Sequence, residues 1–228
     1  MASWMVHFRI ADGIMGSIKN VDKEKFIVGN IGPDCGELCE DGKSLEPLKY
    51  ITHWKNPQNK KESLKDDFFL KYLSNDNMNS DKSFYLGYYI HLLTDILWKK
   101  IIYIPTKEKY LSKFSSETEF NYNVKADWSD VDHIFLRDNP DFRILNIFNK
   151  ITTFPNIYFD YYSDTAFENK IVKISNVYKN ISNNIDRDYP FLNKEQADDF
   201  VRKAIEEIKH DLITKNIIWI IDDHIRGG

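Results

Sequence analysis

One stretch constrains this chain more than any other: "FYLGYYIHLLTDILW", residues 84 to 98. It is almost wholly apolar and aromatic, the pattern of a helix buried on every side. Yet His91 and Asp95 stand in its middle, four residues apart, which puts both side chains on one helical face. An isolated ionised aspartate in an apolar core is costly to desolvate, and coordination to a cation removes that cost. Imidazole nitrogens and carboxylate oxygens suit a divalent ion such as zinc, and two ligands on one helix form a rigid half-site. The plain alternative is that the pair bond each other or face solvent along a mixed helix edge.

Elsewhere apolar residues recur at the helical period of three and four, and nothing alternates convincingly with period two. "SWMVHFRIADGIMGSI" reads as a first helix with Ser3 as its N-cap, and "DKEKFIVGNI" as a second, stopped by Gly32-Pro33. Residues 41–61 are polar and irregular, and "SLKDDFFLKYL" is a short helix beginning at an N-cap serine, Ser63. The opening stretch extends to a helix over about 81–103, ended by Pro105. Further helices are expected in "KADWSDVDHIFLRD", closed by Asn139-Pro140, in "DFRILNIF" after it, and in "DTAFENKIVKISNVYKNISNN". A long final helix or broken pair runs from a cap at Asn193 to Gly227-Gly228. The chain reads as an all-α, multi-helix bundle in a single domain, residues 1–228.

Lysine and arginine number 31 against 35 acids, a formal net charge of −4, which argues against dedicated nucleic-acid binding. The first residues lack the basic and apolar regions of a signal peptide, and no apolar run approaches the ~18 residues of a membrane span. A cytoplasmic protein is the expectation. Cys35 and Cys39, the only cysteines, are too few for a disulfide scaffold or a four-sulfur zinc site and read as free thiols.

Three further residues keep company with His91 and Asp95. His7 sits on the first helix, His53 in "THW" beside a proline-bounded loop, and Asp34 within "VGNIGPDCG". A glycine-proline break ends a helix abruptly and can aim the next side chain inward. Each also has a structural reading: a satisfied core histidine, a surface-loop histidine, and an aspartate chosen because it suits turns.

Taken in order, His7, the "GPD" of Asp34, the "THW" of His53 and the "YYIHLLTD" of His91 and Asp95 resemble the bacterial zinc-dependent phospholipase C family, whose all-helical fold the single-strand-specific zinc nucleases share. The resemblance covers approximately residues 1–100 and, more loosely, the helical remainder. It implies that His7, Asp34, His53, His91 and Asp95 are metal ligands, with Asp95 as a bridge and Asp34 also activating the attacking water. It further implies hydrolysis of a small-molecule or lipid phosphoester by metal-activated water between helices. Two departures stand out. Trp4 lies inside the chain and offers no free amine, and "HLLTDILWKKIIYIP" carries neither the family's next histidine nor a following HxxxE. One or two ions, zinc or another divalent metal, are therefore expected rather than three. Asp127, Asp130, Asp132 and His133 are candidates to rebuild the third site. A solvated acidic face packing through Trp128, Val131 and Phe135 explains them at least as well. Two other functions stay open: an HD-type phosphohydrolase, through His210-Asp211 with Asp222 and Asp223, and a non-catalytic helical binding protein descended from the same fold.

Overall fold

A computed structural model describes residues 1–39, 45–74, 80–179, 185 and 187–217. Helices dominate them: α1 Trp4–Met15, α2 Lys23–Ile31, α3 Lys49–Thr52, α4 Lys65–Tyr72, α5 Ser80–Trp98, α6 Ile104–Tyr110, α7 Glu117–Asp138, α8 Arg143–Phe148, α9 Ala166–Lys179 and α10 Lys194–Thr214. The one sheet among these residues is a two-residue antiparallel pair, β1 Glu37–Leu38 and β2 Leu45–Glu46. The fold is all-α, as the periodicity implied. No described helix is long and apolar enough to cross a membrane.

The centre of the molecule is built from α1, α2 and α5. In α1 the residues Met5, Val6, His7, Phe8, Ile10, Ala11, Ile14 and Met15 are all buried, so apolar contacts surround the helix. The outer helix α10 is amphipathic instead, burying Ala197, Phe200, Val201, Ala204, Ile208 and Leu212 at three- and four-residue spacing. Its N-terminus carries the capping box foreseen at Asn193, closed by Gln196.

The crossing of α2 and α5 is closer than ordinary side chains permit. A Cβ on Gly29 would lie 2.0 Å from the Phe84 carbonyl oxygen, and one on Gly87 would lie 2.0 Å from that of Phe26. Two glycines thus let the backbones touch, and the Asn30 amide donates across the gap to the Gly87 carbonyl at 3.3 Å. Gly29 serves this crossing rather than the turn before Asp34. That turn is made by a single 3-10 turn, Gly32–Asp34, with Pro33 in it.

Several boundaries differ from expectation. The chain does not leave the helical path at Pro105. After α5 it widens into a π-turn over Lys99–Tyr103, and Pro105 falls in the first turn of α6. Proline lacks an N–H and collides with the carbonyl four residues back; a wider turn and a helix start both remove that conflict. Ser63 does not cap α4, whose N-cap is Leu64 with no side-chain bond. Helix α7 begins eight residues before Lys125, because the Ser116 hydroxyl accepts the Glu119 N–H and fixes an earlier start. The irregular segment contains β2 and α3. Helix α10 ends at Thr214, with Asn216 in the left-handed region at φ 58°; the expected terminus at Gly227-Gly228 lies outside the described residues. Cys35 and Cys39 are both free, with Cys35 buried after the 3-10 turn rather than on a helix.

Candidate metal centre

Five side chains from four places in the chain converge. His7 comes from the middle of α1, whose N-terminus Ser3 caps by accepting the Val6 N–H at 3.4 Å. Asp34 ends the 3-10 turn after α2. His53 closes the one-turn helix α3. The next residue, Trp54, takes the left-handed conformation at φ 46° and turns its ring onto Phe68, 5.1 Å away. Tyr88 of α5 donates its hydroxyl to the Thr52 carbonyl, tying α3 to the central helix. His91 and Asp95 follow on that same helix.

The distances form one connected cluster. Asp95 Oδ1 lies 3.5 Å from His7 Nε2, while Asp95 Oδ2 lies 3.6 Å from His53 Nε2 and 3.8 Å from His91 Nε2. Asp34 Oδ1 lies 3.5 Å from His53 Nε2. The His7 and His91 rings stack at 3.8 Å and 3°. The ligand-type atoms fall into two sets, each within 4.8 Å of one another: His7, His91 and Asp95, and Asp34, His53 and His91. His91 belongs to both.

Surrounding bonds fix which atoms face inward. His91 Nδ1 contacts the Asn30 carbonyl at 2.8 Å, and His53 Nδ1 contacts the Lys49 carbonyl at 3.1 Å. For His91, donation from Nδ1–H leaves the lone pair on Nε2, which faces Asp95; His53 Nδ1 also meets the Thr52 hydroxyl at 2.9 Å, and its Nε2 faces both carboxylates. Asp34 Oδ2 accepts the Trp4 indole N–H at 3.0 Å, and Asp95 Oδ1 accepts the Ala2 backbone N–H at 2.9 Å. No hydrogen-bond partner among the described residues meets His7 Nδ1, His7 Nε2, His53 Nε2 or His91 Nε2, although all are buried. Buried polar atoms are seldom left so in a folded protein, and four in one place ask for a ligand.

The electrostatics agree. Burial pushes the His91 pKa down, to about 3, with the neighbouring His7 adding to it, so the ring is neutral at ordinary pH. For Asp34 and Asp95 burial acts upward, and the N–H or positive charge that the neighbouring imidazoles can turn toward them acts downward more strongly, which holds both carboxyls well below the usual carboxylate range. Imidazole nitrogens and anionic carboxylate oxygens converging in a buried space are the donor set of a divalent cation.

The other candidates lie apart from this cluster. Asp127 pairs with Arg187 at 2.7 Å and accepts the Phe191 N–H, and Asp130 pairs with the same Arg187 at 2.7 Å. Asp132 accepts the Ser3 hydroxyl at 2.6 Å and the Tyr178 hydroxyl at 3.0 Å. His133 edges against the Tyr178 ring at 6.0 Å. None of the four belongs to either ligand-type set among the described residues. The HD-type reading also loses support: Asp211 accepts the Tyr89 hydroxyl and pairs with Lys215, His210 is exposed, and Asp222 and Asp223 lie outside the described residues. Sequence reasoning missed Trp4, Asn30 and the glycine pair as supports of the centre. For Gly29 and Gly87 a signal existed, since glycine inside a helix usually marks a close approach.

The helical fold and the converged histidines and aspartates define a class, an all-α protein with a site suited to divalent cations. Residues 6–185 match the zinc-dependent phospholipase C family, and the chain belongs to it. That family places it among metal-dependent phosphoester hydrolases. No curated protein and no solved structure matches the chain.

Proposed function

We propose that this protein hydrolyses a small-molecule or lipid phosphoester, with His7, Asp34, His53, His91 and Asp95 holding one or two divalent cations, zinc first among them. The observation that carries the reading is the set of buried, unpartnered imidazole nitrogens facing two carboxylates. A cation there would supply Lewis acidity toward phosphoryl oxygens and lower the pKa of bound water toward neutrality. Two ions rather than three fits the engagement of Asp127, Asp130 and Asp132 with partners of their own.

The chain's own residues divide the remaining work. The Asn30 carbonyl orients the His91 ring, and the Lys49 carbonyl with the Thr52 hydroxyl orients the His53 ring, so that each Nε2 turns inward. Asp95 presents one oxygen toward His7 and the other toward His53 and His91, an arrangement suited to bridging. Asp34 is the one member of the five that lines the large adjoining cavity of about 790 Å³. With Oδ2 fixed by the Trp4 indole, Asp34 is oriented to take a proton from water approaching a substrate in that cavity.

The test is hydrolysis of bis(4-nitrophenyl) phosphate and 4-nitrophenyl phosphate, with added zinc or manganese, by wild type and Asp34→Asn. The expected result is metal-dependent turnover that falls by about a hundredfold or more in the variant, the usual scale for removing a general base. Equal rates in the two proteins would remove Asp34 from this role. A folded protein that neither binds metal nor turns over any phosphoester is a binding module instead.

A further inference from the structure

The cavity that Asp34 lines contains more positive charge than a phosphodiester alone requires. Lys49 from α3, Lys125 from α7, and Lys170 and Lys173 from α9 all line it, although they come from three different helices. Three acids share the wall, one fewer than the lysines, and each has a bonded partner other than a lysine. Asp34 faces His53, Asp132 accepts the Ser3 and Tyr178 hydroxyls, and Glu37 accepts the Asn169 amide at 2.6 Å. Lys125 and Lys173 form no ion pair among the described residues. Lys170 is the telling member. It is 8% exposed, yet its ammonium has one long hydrogen bond, 3.5 Å to the Gly36 carbonyl, and otherwise only the Trp4 ring, 5.7 Å away. An ammonium carries three donors, and burying one with so little compensation is costly unless an anion completes it.

None of the three histidines lines this cavity. Asp34 alone joins this cavity to the metal centre, so a phosphoester reacting there would extend the rest of its alcohol among the lysines. We infer that the cavity selects a phosphoester carrying a second anionic group, such as a further phosphate on the alcohol it releases. The inference rests on the hydrolase reading above and names the substrate class of that same site.

A zwitterionic, choline-type headgroup fits these walls poorly. Quaternary ammonium ligands are recognised by free aromatic faces and anions. Here the Trp4 ring already has the Lys170 ammonium 5.7 Å from its centre, and its N–H is given to Asp34. Trp128 packs edge-on against Trp98 at 5.0 Å, and Tyr178 is committed to Asp132. Four lysines would repel the ammonium in addition.

The test is equilibrium binding to the zinc-loaded full chain, which needs no turnover. Inositol 1,4-bisphosphate serves as the doubly phosphorylated probe and phosphocholine as the zwitterionic one. Parallel arms use vesicles of phosphatidylcholine with and without phosphatidylinositol 4-phosphate. The expected result is a preference of about tenfold or more for the bisphosphate, shrinking as salt screens the lysines. In Lys125→Gln/Lys173→Gln, both exposed helix positions, the preference narrows to within about threefold, the scale expected for losing two partly solvated charges. Retention on the phosphoinositide vesicles assigns the ligand to a membrane lipid, and binding of the soluble probe alone assigns it to a soluble phosphoester; both support the inference. Equal or tighter binding of phosphocholine overturns it, as does a preference that survives the double substitution or high salt. Hydrolysis of phosphatidylinositol 4-phosphate and of bis(4-nitrophenyl) phosphate by the same preparation reports separately. Turnover of neither would sink the hydrolase reading while leaving the measured preference to stand or fall by itself.

Discussion

Two groups of ionisable side chains meet the first helix, one at His7 and one at Ser3, and their polar atoms are satisfied in opposite ways. Around His7, three imidazoles and two carboxylates crowd together with inward nitrogens that no hydrogen-bond partner meets among the described residues. Around Ser3 and along α7 stand three more aspartates, Asp127, Asp130 and Asp132, yet Arg187, Tyr178, the Ser3 hydroxyl and the Phe191 N–H account for them. The contrast separates a ligand-type donor set from a structural network. Acidic residues close in sequence are common in both; what differs is whether the chain supplies their partners.

Substitutions should divide along the same line. The largest effect is expected at the helix crossing that supports the first group. Gly87→Ala drives a methyl to within 2.0 Å of the Phe26 carbonyl, which must force α2 and α5 apart. A loss of about 3 kcal/mol or more is expected in denaturant unfolding, the upper range of overpacking. Bound metal should be lost with it, because His91 is oriented by the Asn30 carbonyl on α2. Full metal retention in this variant would break the proposed link between crossing and centre.

Arg187→Ala strikes the second group. It leaves the Asp127 carboxylate, 2% exposed, without its ion partner. The expected loss is about 2–3 kcal/mol, below the full cost of a broken buried pair because Arg187 is one-third exposed. Metal content should not change. A drop in bound zinc would show the two groups to be one site.

Asp132 sharpens the comparison through pH. Burial pushes its carboxyl up to about 7, against the pull of the Ser3 and Tyr178 hydroxyls. The folded state therefore holds a proton that the unfolded chain, with an ordinary carboxylate, has released. Its stabilising contribution is complete below about pH 4 and is lost as pH rises toward 7, by at most about 1.4 kcal/mol per unit for one proton. In Asp132→Asn that slope should disappear from the pH dependence of unfolding. A slope equal to wild type would assign the titration elsewhere. The smallest effect is expected from Ser3→Ala, about 1 kcal/mol for a lost N-cap, measured by thermal unfolding.

How much of this was readable from sequence follows from which contacts are local. His91 and Asp95 were legible because a four-residue spacing on an apolar helix fixes their common face. Asp34, His53 and His7 were legible through their order and context, and all five meet. The partners of the α7 acids were not, since Arg187 lies 57 and 60 residues beyond the two it binds and nothing local marks it. The same holds for the Gly29–Gly87 crossing, where each glycine makes sense only beside the other. Pro105 was misread because the rule for a helix interior does not apply once a π-turn opens the helix ahead of it.

The central claim is that the unpartnered nitrogens await a cation. An anomalous-difference map from crystals of the zinc-loaded protein, recorded at the zinc edge, addresses it directly. One or two peaks among His7, Asp34, His53, His91 and Asp95, with none along α7, are expected. A map without peaks there, or with density beside Asp127 and Asp130 instead, would contradict the account.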